Sequence, residues 1–385
     1  MRFHKICLLG LLAAGAMHAE ENDGKAVARI EELGGKVFRV SPGGPVVRIN
    51  LSGKAPTPED IALVATLSNV EELSLSNARL ASKTTLPLAK LDKLRALHLA
   101  DNPIEDEDLK VVSNLKNLEL LGLKGTRVTD AGMSQLKDLT KLRWLGLRNT
   151  AVTDAGVAEL AGLTQLPGIS LSFTKVTDAG LKHLEGMTKM ERLLIDHTGV
   201  TDAGLDTVQK FADLNTLDLT SNAITDKGLA KIKDLKRLQV LELSGTKITD
   251  AGLAELSNLA GLKEEQTTPP VVNNAVAPSR ISFDVGISLA ETKITDAGLE
   301  HLKSLVRIHK LDLSKTAVTE AGLPALAGLK DLEILKLDGL PITDEGLNAL
   351  KGFTHLKMLS LAGTKVTDKG LERAKALWPN AEIVH

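Results

Sequence analysis

A threonine followed by a carboxylate recurs along this chain. Thr129-Asp130, Thr153-Asp154, Thr177-Asp178 and their successors, down to Thr367-Asp368, precede any residue, a glycine and an apolar side chain. Carboxylates in such number could ligate a metal ion or exchange protons. Their setting favours another role. A Thr ahead of a helix accepts a bond from a free N–H of the first turn. An Asp at the next position favours the positive end of the helix dipole. The apolar residues flanking the phrase, such as Val128 and Met133, have the spacing of a hydrophobic staple. Where a capping box would place Glu stands Gly132, Gly156 or Gly180, which leaves room for close approach between stacked coils. Helix capping accounts for every copy, so no catalytic or metal-ligating residue is assigned among them.

Other chemistry is equally thin. There is no Gly-x-Ser-x-Gly, no glycine-rich phosphate loop and no His-Glu-x-x-His. The one cysteine is Cys7, and the nine histidines are scattered. The expectation is a protein that is not an enzyme and needs no cofactor.

The elements that carry the phrase follow from its period. The Thr position runs through Thr57, Ala81, Glu105, Thr129 and onward to Thr367 in steps of 24, broken once by a step of 46 between Thr249 and Thr295. About thirteen repeats result, and a fixed period of this size specifies a solenoid. Ahead of each phrase sits a short alternation such as Leu121-Gly122-Leu123 or Leu217-Asp218-Leu219, read as a strand with its leucines turned inward. After it, leucines at three-residue steps mark a short helix, as at Met133, Leu136 and Leu139. Glu382-Ile383-Val384 adds a terminal strand.

Leu142-Arg143-Trp144-Leu145-Gly146-Leu147-Arg148-Asn149-Thr150 fits Leu-x-x-Leu-x-Leu-x-x-Thr and resembles the leucine-rich repeat. The Asn usual in that family stands at Asn102 and Asn222, with Thr in most coils. The Thr-Asp-x-Gly-Leu variant is similar to the repeats of exported bacterial proteins and to those of eukaryotic F-box adaptors. The resemblance covers residues 47–385. It implies an α/β fold, a right-handed solenoid with a concave parallel sheet and short convex helices, that binds another macromolecule.

Outside the repeats, residues 1–19 read as a signal peptide: Arg2 and Lys5, an apolar run from Ile6 to Ala14, then Ala14-Gly15-Ala16 and Ala19 as small-residue cleavage sites. The protein is therefore expected to be exported, periplasmic or extracellular. With no cysteine beyond that segment, it lacks the Cys-rich caps of exported animal repeat proteins, which points to a bacterial source. Residues 20–46 read as an N-terminal cap, with a helix from Lys25 to Leu33 stopped by Gly34-Gly35. The broken step implies an inserted loop, 264–285, rich in Pro and Asn; it is read either as decoration or as a functional flap. Lys plus Arg number 47 against 49 Asp plus Glu. Without a dense basic run, nucleic acid is not the expected partner. No later stretch is apolar and long enough to cross a membrane.

The expected function rests on the concave face. Most coils place small or polar groups beside the strand leucines. Coils five to seven place Trp144, Arg148, Phe173, Arg192, Leu194, Asp196 and His197 there, with Leu120 beside Trp144, and Asp218 and Glu242 continue as an acidic strip. Apolar groups exposed on a polar sheet mark an interaction site. Glycines at 122, 146 and 168 are expected to leave room for a partner above the sheet. The reading is a protein-binding scaffold, acting as a monomer on a protein or other envelope macromolecule. A structural, self-associating envelope protein is the first alternative, and an F-box-like adaptor a distant one.

Overall fold

A computed structural model describes residues 23–80, 85–262 and 285–385, and these form two compact units, one ending at Val152 and one running from Thr153 to His385. The expected signal peptide 1–19, Ala81 and residues 264–284 lie outside the described residues.

In the first unit, residues 23–32 are helical, and the chain turns at Gly34, whose φ of 73° suits glycine. Strand β1 (Lys36–Arg39) pairs antiparallel with β2 (Val46–Asn50). Strands β3 (Glu72–Ser74), β4 (Ala96–His98), β5 (Leu120–Gly122) and β6 (Trp144–Gly146) follow in chain order, each parallel to the one before.

The second unit repeats this plan. Strands β7 (Gly168–Ser170), β8 (Arg192–Leu194), β9 (Thr216–Asp218), β10 (Val240–Glu242) and β11 (Gly286–Ser288) are parallel and in register. So are β12 (Lys310–Asp312), β13 (Ile334–Lys336), β14 (Met358–Ser360) and β15 (Glu382–Val384). Between strands run short helices such as Asp178–Lys182 and Asp226–Lys231.

From β3 onward each strand is three residues long for a local reason. Alternation buries the middle residue, Leu217, Leu241 or Ile287, and turns its two neighbours outward. Three residues beyond each strand from β2 to β14 the backbone enters the left-handed region, at Ser221, Gly245, Glu291, Lys315, Gly339 and Gly363 among others, and the chain leaves the sheet. Asn222 closes this turn across coils, accepting from Thr198 N–H at 2.9 Å and donating to the Ile195 carbonyl at 2.8 Å. Where Thr replaces Asn, its hydroxyl bonds the carbonyl three residues back, as Thr246 does to Leu243 at 2.6 Å.

The Thr-Asp-x-Gly phrase does more than cap helices. The Thr177 hydroxyl accepts from Ala179 N–H at 3.3 Å, as a helix cap should. At Thr249 no such cap bond forms, and the helix after Thr201 starts only at Leu205. What recurs at Thr129, and again at every copy from Thr177 to Thr367, is a bond between coils. Asp154 accepts Thr177 N–H on Oδ1 at 2.7 Å and the Thr177 hydroxyl on Oδ2 at 2.6 Å. Asp202 holds Thr225, and Asp250 holds Thr295, in the same way. Glu320 substitutes for Asp at Thr343. At Thr367 the hydroxyl and N–H hold the Asp344 carboxyl below the usual carboxylate range. The glycine completes the device. A Cβ on Gly132, Gly228, Gly252 or Gly298 would overlap Oδ1 of the Asp one coil earlier. The close approach expected of glycine is thus to the neighbouring coil's clamping carboxylate.

The broken step leaves this frame intact. Strands β10 and β11 pair in the common register, and the Asp250–Thr295 clamp closes normally. Val285 is buried, and its carbonyl accepts from His309 N–H at 2.8 Å, the place that Gln239 takes toward Gly286 one coil earlier. Val285 therefore belongs to the coil, and the added stretch ends one residue sooner than expected.

Candidate functional site on the open sheet face

The register sorts the outward side chains into columns. In the first unit one column runs Arg48, Glu72, Ala96, Leu120, Trp144, and the other Asn50, Ser74, His98, Gly122, Gly146. In the second unit the columns begin Gly168, Arg192, Thr216, Val240 and Ser170, Leu194, Asp218, Glu242.

The first unit corrects the sequence reading. Trp144 is only 5% exposed and Leu120 only 2%. Neither is an exposed apolar group. A Cβ on Gly146 would stand 3.4 Å from the indole nitrogen of Trp144, so the tryptophan itself fills the space above that glycine. Gly146 does not leave room for a partner. Gly168 is itself buried. Arg148 is half-buried near the edge of the unit. The sequence reading passed over His98, which the register sets beside Gly122; a Cβ there would meet His98 Nδ1 at an ordinary 3.8 Å. Burial pushes the His98 imidazole below its usual range, which favours the neutral ring at pH 7. Its position at the third residue of a strand was the available signal.

The second unit keeps its predicted residues together. Phe173 is 41% exposed and holds φ at 55°, where other coils place Asn, Asp, Ser, Gly, Glu or Lys. A left-handed backbone is uncommon for a bulky side chain. Its ring lies on that of His197, the equivalent residue one coil on, with centroids 3.9 Å apart and planes 17° from parallel. His197 Nδ1 is 3.2 Å from Oδ2 of Asp196, which is 4% exposed. Leu194 and Arg192 are half-buried in the two columns of the same coil.

Asp218 and Glu242 follow Leu194 in its column. Burial first, then the charge of Asp196, pushes the Asp218 carboxyl up to about 6; the Thr220 N–H, 3.0 Å from Oδ1, pulls the other way, and Glu242 adds to the rise. Glu242 has its own cation, Lys310 Nζ at 3.0 Å. Among the described residues no group of three His, Cys, Asp or Glu side chains could hold a metal ion. The patch comprises a flat aromatic pair, a leucine and an acidic strip.

A family model described as leucine-rich repeat matches residues 91–113, 212–233, 237–257 and 354–373, each within coils of the frame described above. This chain is a leucine-rich-repeat protein. Among solved structures, the leucine-rich-repeat chain is similar to an internalin from Listeria monocytogenes at 21% identity and a TM-score of 0.58, covering 81% of this chain and 86% of that one. It is similar to a Leptospira interrogans leucine-rich-repeat protein at 19% identity and a TM-score of 0.52, covering 87% and 95%. It also resembles the leucine-rich-repeat ectodomain of the Arabidopsis receptor kinase HAESA in complex with a peptide hormone, at 18% identity and a TM-score of 0.56, covering 90% of this chain and 58% of the ectodomain. These likenesses are of fold. No curated protein sequence matches the chain. Among the described residues no helix is long and apolar enough to cross a membrane.

Proposed function

We propose that this leucine-rich-repeat protein is an exported, non-enzymatic scaffold that binds another protein through the open sheet face of its second unit. Phe173 stacked on His197 is the anchor, with Leu194 beside it and Arg192, Asp196, Asp218 and Glu242 around it. The observation that carries the reading is Phe173. A non-glycine residue in the left-handed region costs on the order of 1–2 kcal/mol, and this one also leaves an aromatic ring in solvent. Stacking of coils requires the left-handed turn but not an aromatic ring on it, because Ser, Gly and Lys occupy the same place elsewhere. An aromatic group ringed by polar side chains is how interfaces concentrate their energy. The HAESA ectodomain, with its peptide hormone, supplies a precedent for ligand binding on this fold. The charged, apolar and small-residue order of residues 1–19 supports export.

The test is Phe173→Asn, since Asn accepts the left-handed region readily. Stability should change by less than about 1 kcal/mol, lost ring contact offsetting relieved strain. Partner capture by crosslinking in the native envelope should fall at least about tenfold if Phe173 is a hot spot. Lys315→Asn, at the equivalent turn of another coil, is the control and should keep the partner. Equal capture by both variants would remove Phe173 from the interface, and sedimentation of the free protein as an oligomer would favour a self-associating envelope protein.

A further inference from the structure

We propose that Asp218 makes the open face of the second unit proton-sensitive, the patch losing one negative charge as the solution turns mildly acidic. The inference rests on the proposed function only for its consequence, that a partner would meet a less charged surface. The geometry sets Asp218 apart from its neighbours. Glu242, next in its column on β10, is paired with Lys310 from β12. Asp196, beyond the strand β8 that flanks it on the other side, stands against His197 Nδ1. Arg192 lies in the adjoining column of β8. Asp218 itself makes no ion pair among the described residues; its hydrogen bond comes from the Thr220 N–H at the end of its own strand. It is a carboxylate held between two others, partly withdrawn from water, and a lone proton on it relieves both repulsions.

The folded state therefore holds this proton more tightly than the unfolded chain does. The resulting stability is fully present below the ordinary carboxylate range near 4, and it is lost as pH rises through about 6. This runs opposite to the acid sensitivity of a clamped carboxylate such as Asp344.

The measurement uses the full chain. Carboxyl carbon-13 NMR should show the Asp218 resonance titrating near pH 6. In urea titrations the folding equilibrium should strengthen from pH 7 to pH 5 by about tenfold more in the wild type than in Asp218→Asn. Identical pH dependence of the two proteins, or an Asp218 resonance that moves with the ordinary aspartates, overturns the proposal. Should Asp218→Asn not fold, Glu242→Gln decides: it should lower the pH at which Asp218 titrates, and an unchanged titration point would overturn the proposal. None of these readouts involves a partner, so the proposal and the docking reading fail separately.

Discussion

The helix side and the strand face of the second unit share one period and treat it in opposite ways. On the helix side the same residues return from coil to coil, with Glu320 a replacement at Thr343: Asp154 clamps Thr177, Asp202 clamps Thr225 and Asp296 clamps Thr319, each through the same two oxygens. On the strand face one column changes from Ser170 to Leu194, Asp218, Glu242 and Ser288. Invariance within a repeat marks what stacking needs, because every coil must satisfy the same neighbour. Variation marks what stacking leaves free. On the strand face of the first unit the division breaks down: Trp144, like Leu120 beside it, varies from its column yet is buried like core.

Trp144→Ala tests that break and should have the largest effect. A buried tryptophan cut to alanine costs about 4 kcal/mol, read as a lower urea midpoint. A loss below about 1 kcal/mol would return Trp144 to the free surface of the sheet and restore the division. The clamp comes next. Gly228→Ala should cost about 3 kcal/mol, because its Cβ would overlap Oδ1 of Asp202. Asp202→Ala should cost about 2 kcal/mol by stripping the Thr225 N–H and hydroxyl of their acceptor. The double variant should fall short of the sum by about 1 kcal/mol or more, since removing the carboxylate makes room for the methyl group. Strict additivity would show that glycine and aspartate are not parts of one device. The smallest effect belongs to deletion of residues 263–284, which should shift stability by about 1 kcal/mol or less. Strands β10 and β11 and the Asp250–Thr295 clamp already hold the geometry of an uninterrupted coil. A large loss would mean that this stretch supports the frame.

Period, strand and helix positions were legible because they are local and repeated. Alternation about Leu217 and the break at the Thr could be read many times over, so the α/β repeat fold followed from the residues alone. The turn role of Asn222 and Thr246 was legible for the same reason. The exposed or buried state of the predicted site was not. Trp144 and Phe173 looked alike as aromatic residues near strands, yet one covers a glycine of its own coil and the other stands in solvent on a left-handed backbone. Side-chain direction and backbone hand at a turn depend on three-dimensional neighbours that the spacing does not name.

The same limit governs the carboxylates. Sequence alone determined that a carboxylate follows each Thr of the phrase from Thr129 to Thr367, which is a statement about one coil. That both oxygens of Asp154 reach Thr177, and that Gly180 must lack a side chain to let them, is a statement about two coils in contact. Likewise Asp218 is one acidic residue among many until the register sets it beside Glu242 and next to the coil of Asp196, where partial burial and like charge make its proton hard to remove. Only tertiary structure decides such things, because hydrogen bonds and desolvation are settled by distances between residues that the chain order keeps apart.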